Sequence, residues 1–307
     1  MDFEPFLKFL ANQRACSLQT IRAYRSDLKM FHKFAKDKGI RRINQVDHSV
    51  ITAYIGHMQQ ELNLRSAQIG LSDSTIARRL AALSSYFDFL CAIEDANLRN
   101  PLKGRRNRWK KNDKPKPIDD LTVDRLLAHI ASSNFRDRAL FKLFLSTGLR
   151  VSEMYQLDRD SIAIQTEMKS NGDELILGRG EVIGKGKKRR TFYVDSETLT
   201  DFALYVASRT DNQEALFLSE RKQRLSVRAI QCTLETLCVK AGVAHINVHR
   251  FRHTYATRLA NANMSTIVLK DLMGHESFNT TLKYFKLNDT TMARGYHAAM
   301  EFQRGDS

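Results

Sequence analysis

The chain has 307 residues, a length that fits two domains better than one, and its 42% hydrophobic residues suffice to form real cores. The formal net charge of +15 favours a polyanionic partner, because Lys and Arg side chains that neutralise phosphates release condensed counterions; a basic surface without a function is the alternative. No apolar run reaches the roughly 18 residues of a membrane span, and the amino terminus is too acidic and interrupted for a secretory signal.

The amino-terminal part of the sequence predicts amphipathic helices. The segment "SLQTIRAYRSDLKMFHKFAKDKG" begins at a plausible N-cap, Ser17, and ends at Gly39. Apolar residues at helical spacing are expected to face a core: Ile21, Tyr24, Leu28 and Phe31. A second stripe is basic: Arg22, Arg25, Lys29, Lys33 and Lys36.

The segment "DSTIARRLAALSSYFDFL" repeats this design. Its inward residues are expected to be Ile76, Leu80, Leu83, Phe87 and Leu90, with Arg78 and Arg79 pointing outward. One basic stripe is usually just a solvated face. Two stripes in one small helical domain, before a basic linker, favour contact with DNA, and the candidate residues are Arg22, Arg25, Lys29, Arg78 and Arg79.

A basic, proline-containing stretch follows. The sequence "NPLKGRRNRWKKNDKPKP" is nearly devoid of aliphatic residues, which is typical of an exposed linker. We therefore predict a helical domain over residues 1–102, a linker over 103–118 and a second domain over 119–307. The linker either follows a nucleic-acid backbone through Arg105, Arg106 and Lys110 or is merely solvated.

The second domain is predicted to be mainly helical with a small β region. Helical patterns in "DDLTVDRLLAHIA" and "FRDRALFKLFLSTGLRVSEMYQL" precede the strand-like "SIAI", "ELIL" and "EVIGKGKKRRTFYV". The last of these predicts a hairpin about the Gly184–Gly186 turn. From Asp195 the pattern is helical again, with an N-cap at Ser226 and an end at Gly242. The predicted fold class is mainly α in two domains, with a small antiparallel sheet in the second.

The segment "HRFRHTYA" crowds imidazole and guanidinium groups into one and a half helical turns, which a metal site, a nucleic-acid contact or a phosphate-handling active site would each partly explain. His249 and His253 have the spacing of a zinc-binding pair, but the glutamate of H-E-x-x-H is missing and Arg250 and Arg252 would repel a dication. A phosphate site uses all of the groups, because arginines bind phosphate oxygens and a histidine moves protons beside them. The four cysteines, Cys16, Cys91, Cys232 and Cys238, show no C-x-x-C pair and are expected to be reduced packing residues of a cytosolic protein. We expect neither a metal nor a cofactor.

The motifs "STGLRVSE", "GKGKKR", "HRFRHTYATRLA", "LMGHES" and "TTLKYFK" resemble, in order and approximate spacing, those of the tyrosine site-specific recombinases, the integrase family of lambda, Cre and the Xer proteins. The resemblance covers nearly the whole chain and is closest to the compact Xer-like members. It implies a core-binding domain, a catalytic domain, and cleavage and rejoining of DNA through a 3′-phosphotyrosine and a Holliday junction, without ATP or metal.

The resemblance also implies roles for matching residues. Arg150 and Arg252 would clamp the scissile phosphate, and Glu153 would order the site. His253 is expected to be a structural support.

The remaining roles concern protons and the nucleophile. Lys185 would protonate the departing 5′ oxygen, although Lys187 and Lys188 are close enough to substitute. His249 would be the acid/base partner, His275 would hydrogen-bond the phosphate or the tyrosine, and Tyr284 would be the nucleophile. Because a free tyrosine has a pKa of about 10, the surrounding cations are expected to lower the cost of the phenolate.

Some features depart from the family pattern. The interval between Arg150 and Lys185 is longer than in compact relatives, through "QTEMKSNGDELILGRG", and this puts the hairpin geometry in doubt. Val248 stands where relatives often have Pro, and Phe251 where they have Leu.

The family assembles four protomers on two duplexes of a specific recombination site. A tail from about residue 286, "TTMARGYHAAMEF", would dock on a neighbouring protomer or fold back onto its own domain. We expect a monomer or weak oligomer when the protein is free, no membrane association, and a bacterial, cytoplasmic, nucleoid-associated location. A second recombinase or an accessory protein remains an open alternative.

Two other functions use the same scaffold. One is a sequence-specific DNA-binding protein without catalysis, and the other is a strand relaxer like a type IB topoisomerase. The complete set of catalytic residue types argues against the first, and the separate helical domain and tail argue against the second.

Overall fold

The chain divides into two compact units, Met1–Asp113 and Lys114–Ser307. The structure, a computed structural model, describes residues 1–14, 16–63, 68–93, 98–104, 116–130, 134–168, 173–184, 188–285 and Met300. The predicted fold class, mainly α in two parts with a small antiparallel sheet, is confirmed.

The described part of the first unit contains four α-helices: α1 (Glu4–Asn12), α2 (Leu18–Asp37), α3 (His48–Gln60) and α4 (Asp73–Ile93). A 3₁₀ turn (Ile43–Gln45) and two short paired strands, β1 (Leu62–Asn63) and β2 (Gln68–Ile69), complete the described part. Ser17 caps α2 as predicted, since its hydroxyl accepts the backbone N–H of Thr20 at 3.2 Å.

The inward faces of α2 and α4 form an aromatic-rich core. Leu28 and Phe31 of α2 are fully buried, and the five residues of α4 predicted to face inward are all buried. Phe31 packs edge-on against Tyr54 of α3, with ring centroids 5.1 Å apart. This core fixes which side of α2 is turned to solvent.

The second unit surrounds a three-stranded antiparallel sheet with helices. Its elements are α5 (Asp120–Ala128), α6 (Phe135–Thr147), α7 (Val151–Gln156), β3 (Ile162–Met168), β4 (Glu174–Ile183), β5 (Arg189–Val194), α8 (Ser196–Ala207), α9 (Val227–Lys240), α10 (His249–Asn261), α11 (Thr266–Met273) and α12 (Phe278–Leu282).

The sheet confirms the predicted hairpin and gives a place to the extra sequence. The strand order is β3-β4-β5, and the residues on either side of the Gly184–Gly186 turn pair with each other, as Ile183 does with Arg189. Within the described residues, the extra sequence between Arg150 and Lys185 lies mainly in β3 and β4, which pair with each other at Gln165 and Leu177.

Helix α6 lies in the core of the second unit. Phe141 and Phe144 are almost fully buried, and Phe251 of α10 stacks on Phe141 with centroids 5.7 Å apart. The unusual Phe251 therefore fills core volume, and α10 is fixed against α6. In the part of the chain that the structure describes, no helix is long and apolar enough to cross a membrane.

Candidate active site

Arg150 is held at the amino-terminal end of α7. The Glu153 carboxylate accepts one hydrogen bond from the backbone N–H of Arg150 and another from Nη1 of Arg150, both at 2.7 Å. Nη2 donates to the carbonyl of Gly274 at 3.3 Å. The guanidinium is therefore anchored at two points, while 30% of the side chain stays exposed and available to a ligand.

Glu153 also binds a second arginine. Its Oε2 accepts a hydrogen bond from Nη2 of Arg190 at 2.7 Å, and Nη1 of Arg190 donates to the carbonyl of Leu272. Burial alone would raise the pKa of Glu153, but the hydrogen bonds and charges of Arg190 and Arg150 outweigh burial, and the pKa is lowered. An ionised carboxylate thus joins α7, β5 and the end of α11.

Arg252 lies on the buried side of α10. Its side chain is enclosed, with Nη1 donating to the carbonyl of Gly148 at 2.7 Å and Nη2 to the carbonyl of Met273. Burial, followed by the charges of Arg150 and Arg190, lowers its pKa, yet an arginine keeps its proton at neutral pH. A permanent positive charge is therefore fixed between the end of α6 and the end of α11.

Helix α10 carries two histidines that lie one turn apart. His249 opens the helix with an exposed side chain, and its ring lies 4.7 Å from that of His253, one turn later. The pKa of His249 is lowered by desolvation of its packed side and then by the charges of Arg252 and Arg150. A neutral imidazole at the surface can both accept and donate a proton.

Tyr284 follows α12 and is 7% exposed. Its hydroxyl lies 2.7 Å from Nδ1 of His253, and its ring is parallel to that of His275, with centroids 6.2 Å apart. Nδ1 of His275 lies 2.8 Å from the hydroxyl of Thr281. Burial raises the pKa of Tyr284. The charge of Arg252 lowers it, as expected of the surrounding cations, but the effect of burial is larger.

A basic cleft opens beside these residues. It has a volume of about 540 Å³ and lies between β5 and α11. Its lining includes the side chains of Arg150, Lys188, Arg189, Lys270 and His275. Asp271 and Glu276 also line the cleft, but basic residues outnumber them, so the cleft fits a polyanion.

The structure thus brings together Arg150, Glu153, His249, Arg252, His253, His275 and Tyr284. Lys185 lies outside the described residues, as do Arg105, Arg106, Lys110 and, except for Met300, the tail from about residue 286. Within the described part of the chain, no group of three or more His, Cys, Asp or Glu side chains is arranged to hold a metal ion.

Arg190 is a site residue that sequence reasoning missed. It lies at the end of the basic run "GKGKKRR", which begins in the predicted turn. Along β5, however, Arg190, Phe192 and Val194 alternate inward. A basic residue in phase with two apolar ones was the signal that Arg190 points into the protein.

The exposed basic residues of α2 lie where expected. Arg22 and Lys29 are exposed, while Arg25 is half-exposed and donates to Glu4, with Nη2 at 3.1 Å from Oε2. This face of α2 remains a candidate DNA contact.

The outward orientation predicted for Arg79 on α4 is wrong. Its side chain is only 11% exposed and its Nη1 lies 2.9 Å from the Glu61 carboxylate. The reason is the buried carboxylate of Asp27, which draws in Arg79 and also pairs with the neighbouring Arg78. Arg78 keeps 45% of its side chain exposed.

The chain matches two family models. The Phage integrase family model matches residues 117–291, and the model for the phage integrase N-terminal SAM-like domain matches residues 3–93. Together these matches extend over both units.

Curated relatives match over almost the whole chain. Tyrosine recombinase XerC of Haemophilus influenzae is 30% identical over 298 residues, covering 95% of this chain and 94% of the relative. Tyrosine recombinase XerC of Vibrio campbellii is 29% identical over 303 residues, covering 96% and 90%.

A solved structure shares the fold. The Tn1549 transposon integrase, determined in complex with transposon right end DNA, aligns with a TM-score of 0.73 at 19% identity, covering 96% of this chain and 97% of that one.

Proposed function

The chain belongs to the phage integrase family, and we propose that it is a site-specific tyrosine recombinase that cuts and rejoins DNA through a 3′-phosphotyrosine intermediate and a Holliday junction. The observation that carries this proposal is the arrangement of two arginines and two histidines around one tyrosine. Arg150 lies at the start of α7, His249 and Arg252 lie on α10, and His275 follows α11. All four residues meet beside Tyr284.

Each side chain has a role that its surroundings support. Arg150 keeps part of its guanidinium exposed and would bind the scissile phosphate, while Arg252 would stabilise the charge that develops on the phosphate oxygens. Glu153 would hold Arg150 in place. Tyr284 would attack the phosphorus atom.

The proton roles fall to the histidines and the lysine. His249, exposed and with a lowered pKa, would be the acid/base partner at the phosphate, and His275 would hydrogen-bond the phosphate or Tyr284. Lys185 would protonate the departing 5′ oxygen, a proposal that rests on the sequence motif.

The proposed partner is double-stranded DNA that carries a specific recombination site. This partner is supported by the net charge of +15, the basic cleft and the exposed stripe of α2. Relatives of this chain are named tyrosine recombinases. We further propose a homotetramer on two synapsed duplexes, a monomer or weak oligomer when free, and action at the bacterial nucleoid in the cytoplasm. A second recombinase or an accessory protein is compatible with this assembly.

The test uses the wild-type protein and Tyr284→Phe with DNA from around the coding locus, in the presence of EDTA. We expect a protein–DNA adduct that survives denaturation with the wild type and none with Tyr284→Phe. The matched control is Tyr155→Phe, which changes an exposed tyrosine and should leave adduct formation intact.

The other outcomes favour other functions. Tight DNA binding without an adduct from either protein would favour a DNA-binding protein without catalysis. Relaxation of supercoiled DNA that lacks the site, without strand exchange, would favour a topoisomerase. An adduct with both proteins would mean that Tyr284 is not the nucleophile.

A further inference from the structure

The proton of the tyrosine nucleophile has a specific neighbour, His253. The sequence assigned this residue only structural support, but its Nδ1 lies 2.7 Å from Oη of Tyr284. We propose that His253 accepts the phenolic proton when Tyr284 attacks DNA and returns it when the phosphotyrosine is resolved. This inference rests on the function proposed above.

The other histidines of the site are less well placed for this task. The Nδ1 of His275 lies 2.8 Å from the Thr281 hydroxyl, and the His275 ring stacks parallel to the Tyr284 ring rather than facing its oxygen. His249 lies one turn earlier on α10 and packs edge-on against His253. Among the described residues, the hydrogen bond that Tyr284 makes through its hydroxyl is the one to His253.

The protonation states agree with this geometry. Burial, followed by the charges of His249, Arg252 and Arg250, lowers the pKa of His253 to about 4, so the imidazole is neutral near pH 7. Burial raises the pKa of Tyr284, so the phenol keeps its proton. A neutral imidazole nitrogen can therefore accept a hydrogen bond that the phenol donates.

The proposed step balances in both directions. In cleavage the Oη–H bond of Tyr284 breaks, the proton moves to Nδ1 of His253, Oη bonds to phosphorus and the bond from phosphorus to the 5′ oxygen breaks. The 5′ oxygen takes its proton from a different donor, the role proposed for Lys185. In rejoining, the 5′ hydroxyl attacks phosphorus and gives up its proton to that group, while Oη leaves and recovers its own from His253. A bound phosphate favours the imidazolium by adding negative charge nearby.

The principal variant is His253→Asn. The asparagine amide reaches the position of Nδ1 and keeps a hydrogen bond to Tyr284, but it takes up no proton at neutral pH. The matched control is His245→Gln, which changes an exposed histidine in the loop before α10.

Three substrates separate the roles: one needs both proton transfers, and each of the other two bypasses one of them. The first is a nicked duplex carrying the site located by the wild-type adduct. The second has a bridging sulfur at the scissile 5′ position, because a thiolate leaves without a proton. The third carries a 3′ p-nitrophenyl phosphate next to a free 5′ hydroxyl and reports rejoining without proton donation to the phenol.

We expect His253→Asn to slow cleavage of the first substrate by about 10²-fold or more, the usual contribution of a general base. The bridging sulfur should give no rescue, and rejoining from the p-nitrophenyl ester should keep its wild-type rate. Rescue by sulfur would instead assign His253 to the leaving oxygen, and equal slowing on the p-nitrophenyl ester would show a structural role. Unchanged cleavage of the first substrate would also overturn the proposal.

A measurement on the wild-type protein does not depend on the variant folding or on DNA. In ¹⁵N spectra of histidine-labelled protein near pH 7, His253 should be neutral with its proton on Nε2, and its Nδ1 signal should shift in Tyr284→Phe. A proton on Nδ1 in the neutral ring would overturn the proposal. If no DNA yields an adduct, the proposed function fails, and these spectra still decide whether His253 accepts a hydrogen bond from Tyr284.

Discussion

Glu153 is the residue on which the geometry of the site depends. One carboxylate, 3% exposed, fixes the guanidinium groups of Arg150 and Arg190, and these in turn contact the backbone of Gly274 and Leu272. A buried carboxylate between two arginines is costly to disturb, since removal of its charge leaves both cations uncompensated.

We therefore expect Glu153→Gln to lower the free energy of unfolding by about 3 kcal/mol and to slow DNA cleavage as well. Urea denaturation measures the first effect and adduct formation the second. Glu197→Gln, which removes an exposed carboxylate from the ion pair with Lys142, is the control and should change stability by less than about 0.5 kcal/mol. Equal losses in both variants would contradict the role given to Glu153.

Two half-buried histidines, His253 and His275, predict a pH dependence of stability. Desolvation and neighbouring cations lower the pKa of His253 and of His275 from 6.5 to about 4. Between these values the unfolded chain binds more protons than the native protein, so the free energy of unfolding should fall as the pH drops from about 6.5 towards 4.

Urea denaturation at pH 7 and pH 5 measures this effect. The double variant His253→Asn, His275→Asn should lose less stability between the two pH values than the wild type, whereas His245→Gln should lose as much as the wild type. The lowered pKa values would be contradicted if the double variant lost as much stability as the wild type between pH 7 and pH 5, or more.

At the scale of elements, the ends of helices position the groups that we propose to be catalytic. Gly148 ends α6 at a φ of +56° two residues before Arg150, and its carbonyl accepts the hydrogen bond from Arg252. A Cβ at Gly148 would come within 2.3 Å of Cδ1 of Tyr255. The glycine therefore serves both the left-handed turn and a close approach of α6 to α10.

Gly148→Ala is expected to destabilise the protein more than Gly242→Ala. Gly242 follows α9 at a φ of +62°, and a methyl group added there would meet nothing within 4 Å, so alanine should cost only the conformational penalty of about 1–2 kcal/mol. The clash with Tyr255 should add about 1–3 kcal/mol at Gly148. Chemical denaturation measures both, and equal losses would mean that Tyr255 moves aside freely.

Most helices and strands could be predicted from the sequence, because helical periodicity and N-caps are local signals. Ser17 and Ser226 cap their helices as predicted, and Leu28 and Phe31 are buried as their spacing requires. The hairpin followed in the same way from its turn and its alternating strands.

The ion pairs and side-chain hydrogen bonds of the site could not be predicted in this way, because they join residues that are distant in the sequence. Arg190 lies 37 residues from Glu153, and Arg79 is drawn inward by Asp27 on another helix. The pairing of His253 with Tyr284 spans 31 residues and depends on how α10 and α12 pack. Periodicity gives the face of a helix, but it does not give the partner of a charge.

At the scale of the whole molecule, we expect charge to decide how the proposed DNA partner is bound. The net charge of +15 includes cations that are already used inside the protein, such as Arg79 and Arg252. Exposed residues of α2, such as Arg22 and Lys29, carry charge that is still available to phosphates. Only such free cations release counterions on binding.

We therefore expect Arg22→Ala and Lys29→Ala each to weaken DNA binding similarly on all sequences. Each lost phosphate contact should reduce the slope of log K against log salt by about 0.9. Titrations at several salt concentrations, with Tyr284→Phe as the background to prevent cleavage, measure the slope. Lys8→Ala removes an exposed charge from α1 of the same unit and serves as the control. An equal change of slope in all three variants would mean that overall charge, rather than the face of α2, binds the DNA backbone.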